Sequence, residues 1–151
     1  MKIKLLHWIM VILWMALIFF LSDQPAMESS ELSSGMTKKV FDIIREIAPD
    51  IKTNQGSVEH IIRKSAHFGI FLILGFLVSN AIISYNIPKF KHILLALLVC
   101  VLYAICDETH QIFIPGRSGH IRDVLIDSSG GLVGILGMYA IRGIKRKTLN
   151  F

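Results

Sequence analysis

Residues 94–123 read LLALLVCVLYAICDETHQIFIPGRSGHIRD. Thirteen apolar residues, 94–106, run directly into seventeen that carry Asp107, Glu108, Asp123, Arg117, Arg122, His110, His120 and Gln111. The first part, extended back to Ile93, suits the interior of a bilayer, whereas the second does not. A membrane helix whose end is crowded with titratable groups implies partner helices that accept those groups, and hence a helical bundle.

The rest of the chain supplies the partners. An apolar run covers 5–21, LLHWIMVILWMALIFFL, after Lys2 and Lys4. A basic start resembles a signal peptide, but the run is longer than a signal core and no small-x-small cleavage site follows, so it reads as a retained span. Its seventeen residues rise roughly 25 Å. A second run covers 66–84, closed by Asn86 and Pro88, with Ser57 as the expected N-cap of its helix. The third is 93–106, and the fourth, glycine-rich, is 124–141. Between the first and second, Met36, Val40, Ile43, Ile44 and Ile47 repeat at helical spacing before Pro49, which predicts an amphipathic helix. It would lie on the membrane surface, lid the bundle, or act as a plain connector. The fold class expected is all-α, one domain over 1–151, with four spans and an extracytoplasmic amphipathic helix.

Composition agrees. The chain is 53% hydrophobic and 18% charged, with a mean hydropathy of +0.59. Its net charge of +5 would suggest nucleic acid in a soluble protein. Here the positions of the charges decide. Lys2, Lys4, Lys89, Lys91, Arg142, Lys145, Arg146 and Lys147 flank one side of the spans without an acid among them, and all 11 acids fall on the other side with the remaining basic residues. By the positive-inside rule both termini are cytoplasmic and 107–123 faces outward. Nucleic acid is therefore not an expected partner. Cys100 and Cys106 lie six positions apart in one run and read as small core residues, with no disulfide or metal role.

Helical spacing then gathers the polar groups. With His67 at zero, His60 lies at about 20°, Arg63 at about −40° and Lys64 at about 60° around the second helix. With Asp107 at zero, Gln111 lies at about 40°, Tyr103 at about −40° and His110 at about −60°, while Glu108 is further round. Asp123 and Asp127 are i, i+4 neighbours, and Gly130, Gly131 and Gly134 continue that stripe, where small residues permit close helix approach. Ser22 and Gln24 end the first helix at the same level. Pro115-Gly116 is turn chemistry that brings Arg117 back toward the carboxylates. Plain charge neutralisation is the lesser alternative for the arginines, while His60 and His120 read equally as surface residues.

SDQP (22–25), RKSAHF (63–68), DETHQIFIPGR (107–117) and DVLIDSSGGLVG (123–134) resemble the VanZ-like family of bacterial integral membrane proteins. The resemblance spans nearly the whole chain. It implies a multi-pass protein of the bacterial cytoplasmic membrane and cell envelope, in a family that takes its name from a teicoplanin-resistance protein. The family pattern maps onto Arg63, Lys64, His67, Asp107, Glu108, Gln111, Pro115, Gly116, Arg117, Asp123 and Gly130. The position of Asp127 is often Asn there, and His120 and Arg122 lie outside the pattern.

Two other motifs carry less. Arg117-Ser118-Gly119-His120 is similar to the PSGH block of lipid phosphatases of the type-2 phosphatidic acid phosphatase family, but no downstream His supplies a nucleophile. Asp107 with His110 gives only two metal ligands on one turn, and HExxH is absent, so no metal ligands are assigned, although Zn²⁺ or Mg²⁺ assembled with Asp123 or His67 is conceivable. No cofactor is indicated, and the oligomeric state is not encoded legibly.

Arginine forks suit phosphate, and His or Glu can move protons. The expected partners are membrane lipids, lipid-linked envelope precursors or amphiphilic antibiotics. Arg63, Lys64, Gln111, Arg117, Asp123, Ser22 and Gln24 are the candidate binding residues. Glu108, Asp107 and His67 are the candidate catalytic ones, for phosphoryl or acyl chemistry. The competing readings are a non-enzymatic binder or translocation factor, and an intramembrane protease resembling the Glu-Glu-containing CAAX group, for which a second His-bearing helix is not evident.

Overall fold

A computed structural model describes residues 2–25, 35, 38–40, 42–43, 46 and 54–148. Four long helices cover most of them: α1 (Lys2–Ser22), α2 (Gln55–Ile82), α3 (Lys89–Gln111) and α4 (Ile121–Thr148), with a short 3₁₀ turn, Ile83–Tyr85, between α2 and α3. Each contains a stretch long and apolar enough to cross a membrane: Ile3–Ser22, Gly56–Tyr85, Lys89–Gln111 and Ile121–Arg142. Among the described residues there are no strands. The all-α polytopic expectation holds.

The helices outrun the apolar runs that announced them. α2 begins eleven residues before Ala66, and its cap is Asn54, whose side chain accepts from the Gly56 N–H at 3.0 Å. The expected cap, Ser57, lies inside the helix instead. An Asx residue in extended conformation satisfies the orphan N–H groups one turn earlier. α3 continues past Cys106 through Gln111, so Asp107, Glu108 and Gln111 stand on helix rather than loop. The expected amphipathic helix falls mostly outside the described residues. Those described there, Gly35, Lys38–Val40, Asp42–Ile43 and Glu46, are helical and exposed, while Met36, Ile44 and Ile47 lie outside the description.

α2 is the central element, and its main partner is α4. The glycine stripe explains why. A Cβ on Gly130 or Gly134 would collide with the backbone carbonyl of Phe68 or Leu72, and one on Gly131 would lie 2.9 Å from Cys100 Cβ. Gly75 answers from α2, since a Cβ there would enter the Gly131 backbone. Two backbones in direct contact need glycine on both sides. α3 contributes a matching seam. His92, Ala96, Cys100, Ala104, Asp107, Glu108 and Gln111 are its buried residues, at spacings of three and four. Phe71, Leu74, Val78 and Ile135 fill the core between these seams. Cys100 belongs to that core, whereas Cys106 is exposed, so only one cysteine is the core residue expected.

α1 is the least enclosed span, buried over 17% of its apolar window against 39% for α2. Aromatic hydrogen bonds hold it. Trp14 donates to the Ile70 carbonyl at 3.0 Å, Trp8 to the Tyr85 hydroxyl at 3.1 Å, and Tyr103 to the Met15 carbonyl. The many exposed leucines and isoleucines of α1 and α3 then face hydrocarbon, where exposure is favourable.

Candidate functional site

The charged residues converge at one end of the bundle. Lys64 of α2 and Asp123 of the first turn of α4 form an ion pair, with side chains 21% and 18% exposed. One turn deeper, His67 Nδ1 lies 3.6 Å from Oδ1 of Asp127, which is fully buried. From α3, Asp107 and Glu108 come so close that ligand-type atoms of His67, Asp107, Glu108 and Asp127 all lie within 4.8 Å of one another.

Local structure fixes each group. Gln111, one turn after Asp107, donates its amide to Asp107 Oδ2 at 3.0 Å and to the Ser22 hydroxyl at 3.5 Å. The chain then turns. The Ile114 carbonyl accepts from the Arg117 N–H at 3.1 Å, with Pro115 and Gly116 between them. Gly116 has φ 77°, the left-handed value that the third position of a type II turn demands. The turn sends Arg117 back over the bundle, where its guanidinium donates to the Leu21 carbonyl at 3.4 Å. The returning segment runs so close to α3 that a Cβ on Gly119 would lie 2.5 Å from the Glu108 carbonyl oxygen. That approach lets the His120 N–H donate to Glu108 Oε2 at 2.9 Å.

These elements line a polar cavity of about 80 Å³. It is lined by Arg63, Lys64, His67, Gln111, Arg117, Ser118, Asp123 and Asp127, with Gly116 and Ile126 completing the wall. Burial, and after it the neighbouring Arg63 charge, pulls the Arg117 guanidinium below its ordinary value, with Asp107 and Glu108 opposing. Among the described residues neither Arg63 nor Arg117 takes part in an ion pair. Two guanidiniums sharing a cavity wall, without a carboxylate tied to either, favour an anion between them.

Six of the ten expected site residues line this cavity: Arg63, Lys64, His67, Gln111, Arg117 and Asp123. Ser22 is buried against Gln111 and supports it from behind. Asp107 and Glu108 are not on that wall but are buried next to it, beside His67 and Asp127. Gln24, past the end of α1, is not part of the lining, because the chain has already left the helix there. Asp127, set aside on sequence grounds, is both on the cavity wall and fully buried. Its signal was present in the stripe Asp123, Asp127, Gly130, Gly134, since a residue between close-packing positions must also face α2. His110 lies against α1, 3.5 Å from Asp23 and 4.4 Å from the Phe19 ring centroid.

A second polar cluster at the opposite end was missed. His92 is buried, with Nε2 2.9 Å from the Ser79 carbonyl and Nδ1 against the Tyr139 hydroxyl. It joins three helices and has no wall on the cavity.

Fold and site together define a multi-pass helical membrane protein with a charged cavity at one end of its bundle. A family model described as VanZ/LLP1 matches residues 7–142, and the chain belongs to this VanZ-like family. No curated protein and no solved structure matches it.

Proposed function

We propose that the cavity binds an anionic, phosphate-bearing lipid or lipid-linked precursor at the outer surface of the bacterial cytoplasmic membrane. The observation that carries this reading is the pair Arg63 and Arg117 on the wall of one polar cavity, neither in an ion pair among the described residues. A lipid-linked ligand suits a cavity at the end of membrane-spanning helices, because its tail can remain among the exposed apolar side chains. The VanZ-like family is generally linked to teicoplanin resistance, which makes an amphiphilic antibiotic the competing ligand. The enzymatic alternative rests on Asp107 and Glu108, which are buried beside the lining residues His67 and Asp127.

The test uses the full chain in detergent, presented with a polyprenyl phosphate, phosphatidylglycerol or teicoplanin. Polyprenyl phosphate should be retained, and Arg63→Ala or Arg117→Ala should weaken retention by about tenfold or more, as loss of a charge-assisted phosphate contact does. Failure of the parent protein to retain either phosphate lipid overturns the reading, and retention of teicoplanin alone transfers it to the antibiotic. Glu108→Gln separates binder from enzyme, since an enzyme would lose turnover and keep ligand.

The same reading places both termini in the cytoplasm, supported by the basic flanks around Lys2, Lys89 and Arg142. A cysteine introduced at Ser118 should react with a membrane-impermeant maleimide in intact cells, and one introduced at Lys147 should not. Reversed labelling puts the cavity on the cytoplasmic side.

A further inference from the structure

His67 comes from α2, Asp107 and Glu108 from α3, and Asp127 from α4, yet one ligand-type atom of each lies within 4.8 Å of all the others. Asp127 is fully buried and on the cavity wall, and neither of its carboxylate oxygens has a hydrogen-bond partner among the described residues. Asp107 and Glu108 are 3% and 5% exposed. Each has one oxygen held, by Gln111 and by the His120 N–H, and one buried oxygen with no hydrogen-bond partner among the described residues. Three buried carboxylates at this spacing repel one another, and bare buried oxygens carry a desolvation cost. Of the neighbouring cations, Lys64 pairs with Asp123, and Arg117, whose charge reaches Asp107 and Glu108, donates to the Leu21 carbonyl.

We propose that His67, Asp107, Glu108 and Asp127 form a binding site for one divalent transition-metal ion. One cation would satisfy the unpartnered oxygens and cancel their repulsion together. One imidazole with three carboxylates suits Zn²⁺, Mn²⁺ or Fe²⁺, whereas sites for Mg²⁺ and Ca²⁺ are built from oxygen ligands. The bonds from Gln111 and His120 orient two of the carboxylates from behind, as groups outside a metal's ligand shell do. The site goes beyond the anion-binding reading and stands on its own four side chains. If both hold, the metal sits at the cavity wall with Arg63 and Arg117 nearby, and an anionic headgroup meets positive charge from both.

The experiment is elemental analysis of the full chain purified in detergent without chelator. Thermal melts follow, after chelator stripping, with Zn²⁺, Mn²⁺ or Mg²⁺ added back. About one metal ion per chain is expected, with Zn²⁺ or Mn²⁺ raising the melting temperature and Mg²⁺ doing so far less. Asp127→Asn should abolish the bound metal, and Gln111→Ala should weaken affinity by roughly 10–100-fold. A second sign separates a ligand from a structural aspartate. Without metal, Asp127→Asn should melt above the stripped parent, because it removes one of three crowded charges. Melting below the parent both with and without metal overturns the proposal. So does a parent that carries no metal and shows no shift with Zn²⁺ or Mn²⁺, or retention of metal by both Asp127→Asn and Glu108→Gln. Should Asp127→Asn fail to fold, His67→Gln, at a partly exposed position, decides the matter: folded protein that still binds metal as the parent does refutes the site. Arg63→Ala should lose phosphate-lipid retention and keep the metal, so failure of either reading is visible without the other.

Discussion

Gly134→Leu is expected to yield little folded protein, while Gly137→Leu, three residues further along α4, should melt close to the parent. The two glycines differ in what a side chain would meet. At Gly134 even a Cβ lands on the Leu72 carbonyl and lies 2.9 Å from Phe76 N, whereas at Gly137 nothing lies within 4 Å. The obstacle at Gly134 is backbone, which cannot swing aside as a side-chain tip can. A leucine there must push α4 off α2 along the contact that also involves Gly75, Gly130 and Gly131. Overpacking in a core costs about 1–3 kcal/mol when side chains can adjust. Here they cannot, so at least about 3 kcal/mol is expected, a large share of a marginal stability. Detergent-extracted yield and melting temperature measure it. Equal behaviour of the two variants would mean that the stripe does not hold the helices together.

Lys64→Glu is expected to be nearly as damaging, and reversible by a second change. The substitution sets a carboxylate against Asp123 and within the field of Glu108 and Asp127, replacing an ion pair by a fourth acid. Both partners are about four-fifths buried, so screening is weaker than at an open surface. A loss of about 2 kcal/mol is expected, in the upper part of the range for coupled contacting residues. Lys64→Glu combined with Asp123→Lys should recover most of it. A double-mutant cycle from melting curves gives the coupling directly. If Lys64→Glu alone melts as the parent does, the pair contributes no more than an exposed one and packing alone closes this end of the bundle.

The spans were legible because apolar runs of membrane length have few alternatives. Their ends were not, since Asn54 caps α2 in a polar stretch that hydropathy ignores, and Asp107–Gln111 continues a helix whose polar character reads as loop. Helical spacing correctly grouped Arg63 with His67 and Asp107 with Gln111, because angles around one helix are fixed by the backbone. It could not decide which face of α3 meets α4. Glu108 was expected with the cavity residues and lies buried next to them, beside His67 and Asp127, the latter less prominent in the family pattern. The seam Ala96, Cys100, Ala104 was readable as small residues at intervals of four, and it points at Asp107. Gly75 was missed because a lone glycine in an apolar run has no period of its own. The cluster of His92, Ser79 and Tyr139 was missed for a related reason: its three residues come from different helices, and only the packed bundle makes them neighbours.

The pairing of Lys64 with Asp123 has a consequence for how the chain is made. The two residues are 59 positions apart, 123 minus 64. At roughly 5–20 residues per second, synthesis therefore leaves Lys64 and His67 without their α4 carboxylates for about 3–12 s. During that interval α2 has no glycine stripe to dock on, and Lys64 lacks its partner Asp123. That end of α2 must wait in the headgroup layer, where lysine and arginine are tolerated. Arrival of the last span supplies the counter-charge and the docking surface in one step. The ribosome thus delivers the keystone of this bundle last, and a chain truncated before residue 121 would be inserted yet unassembled.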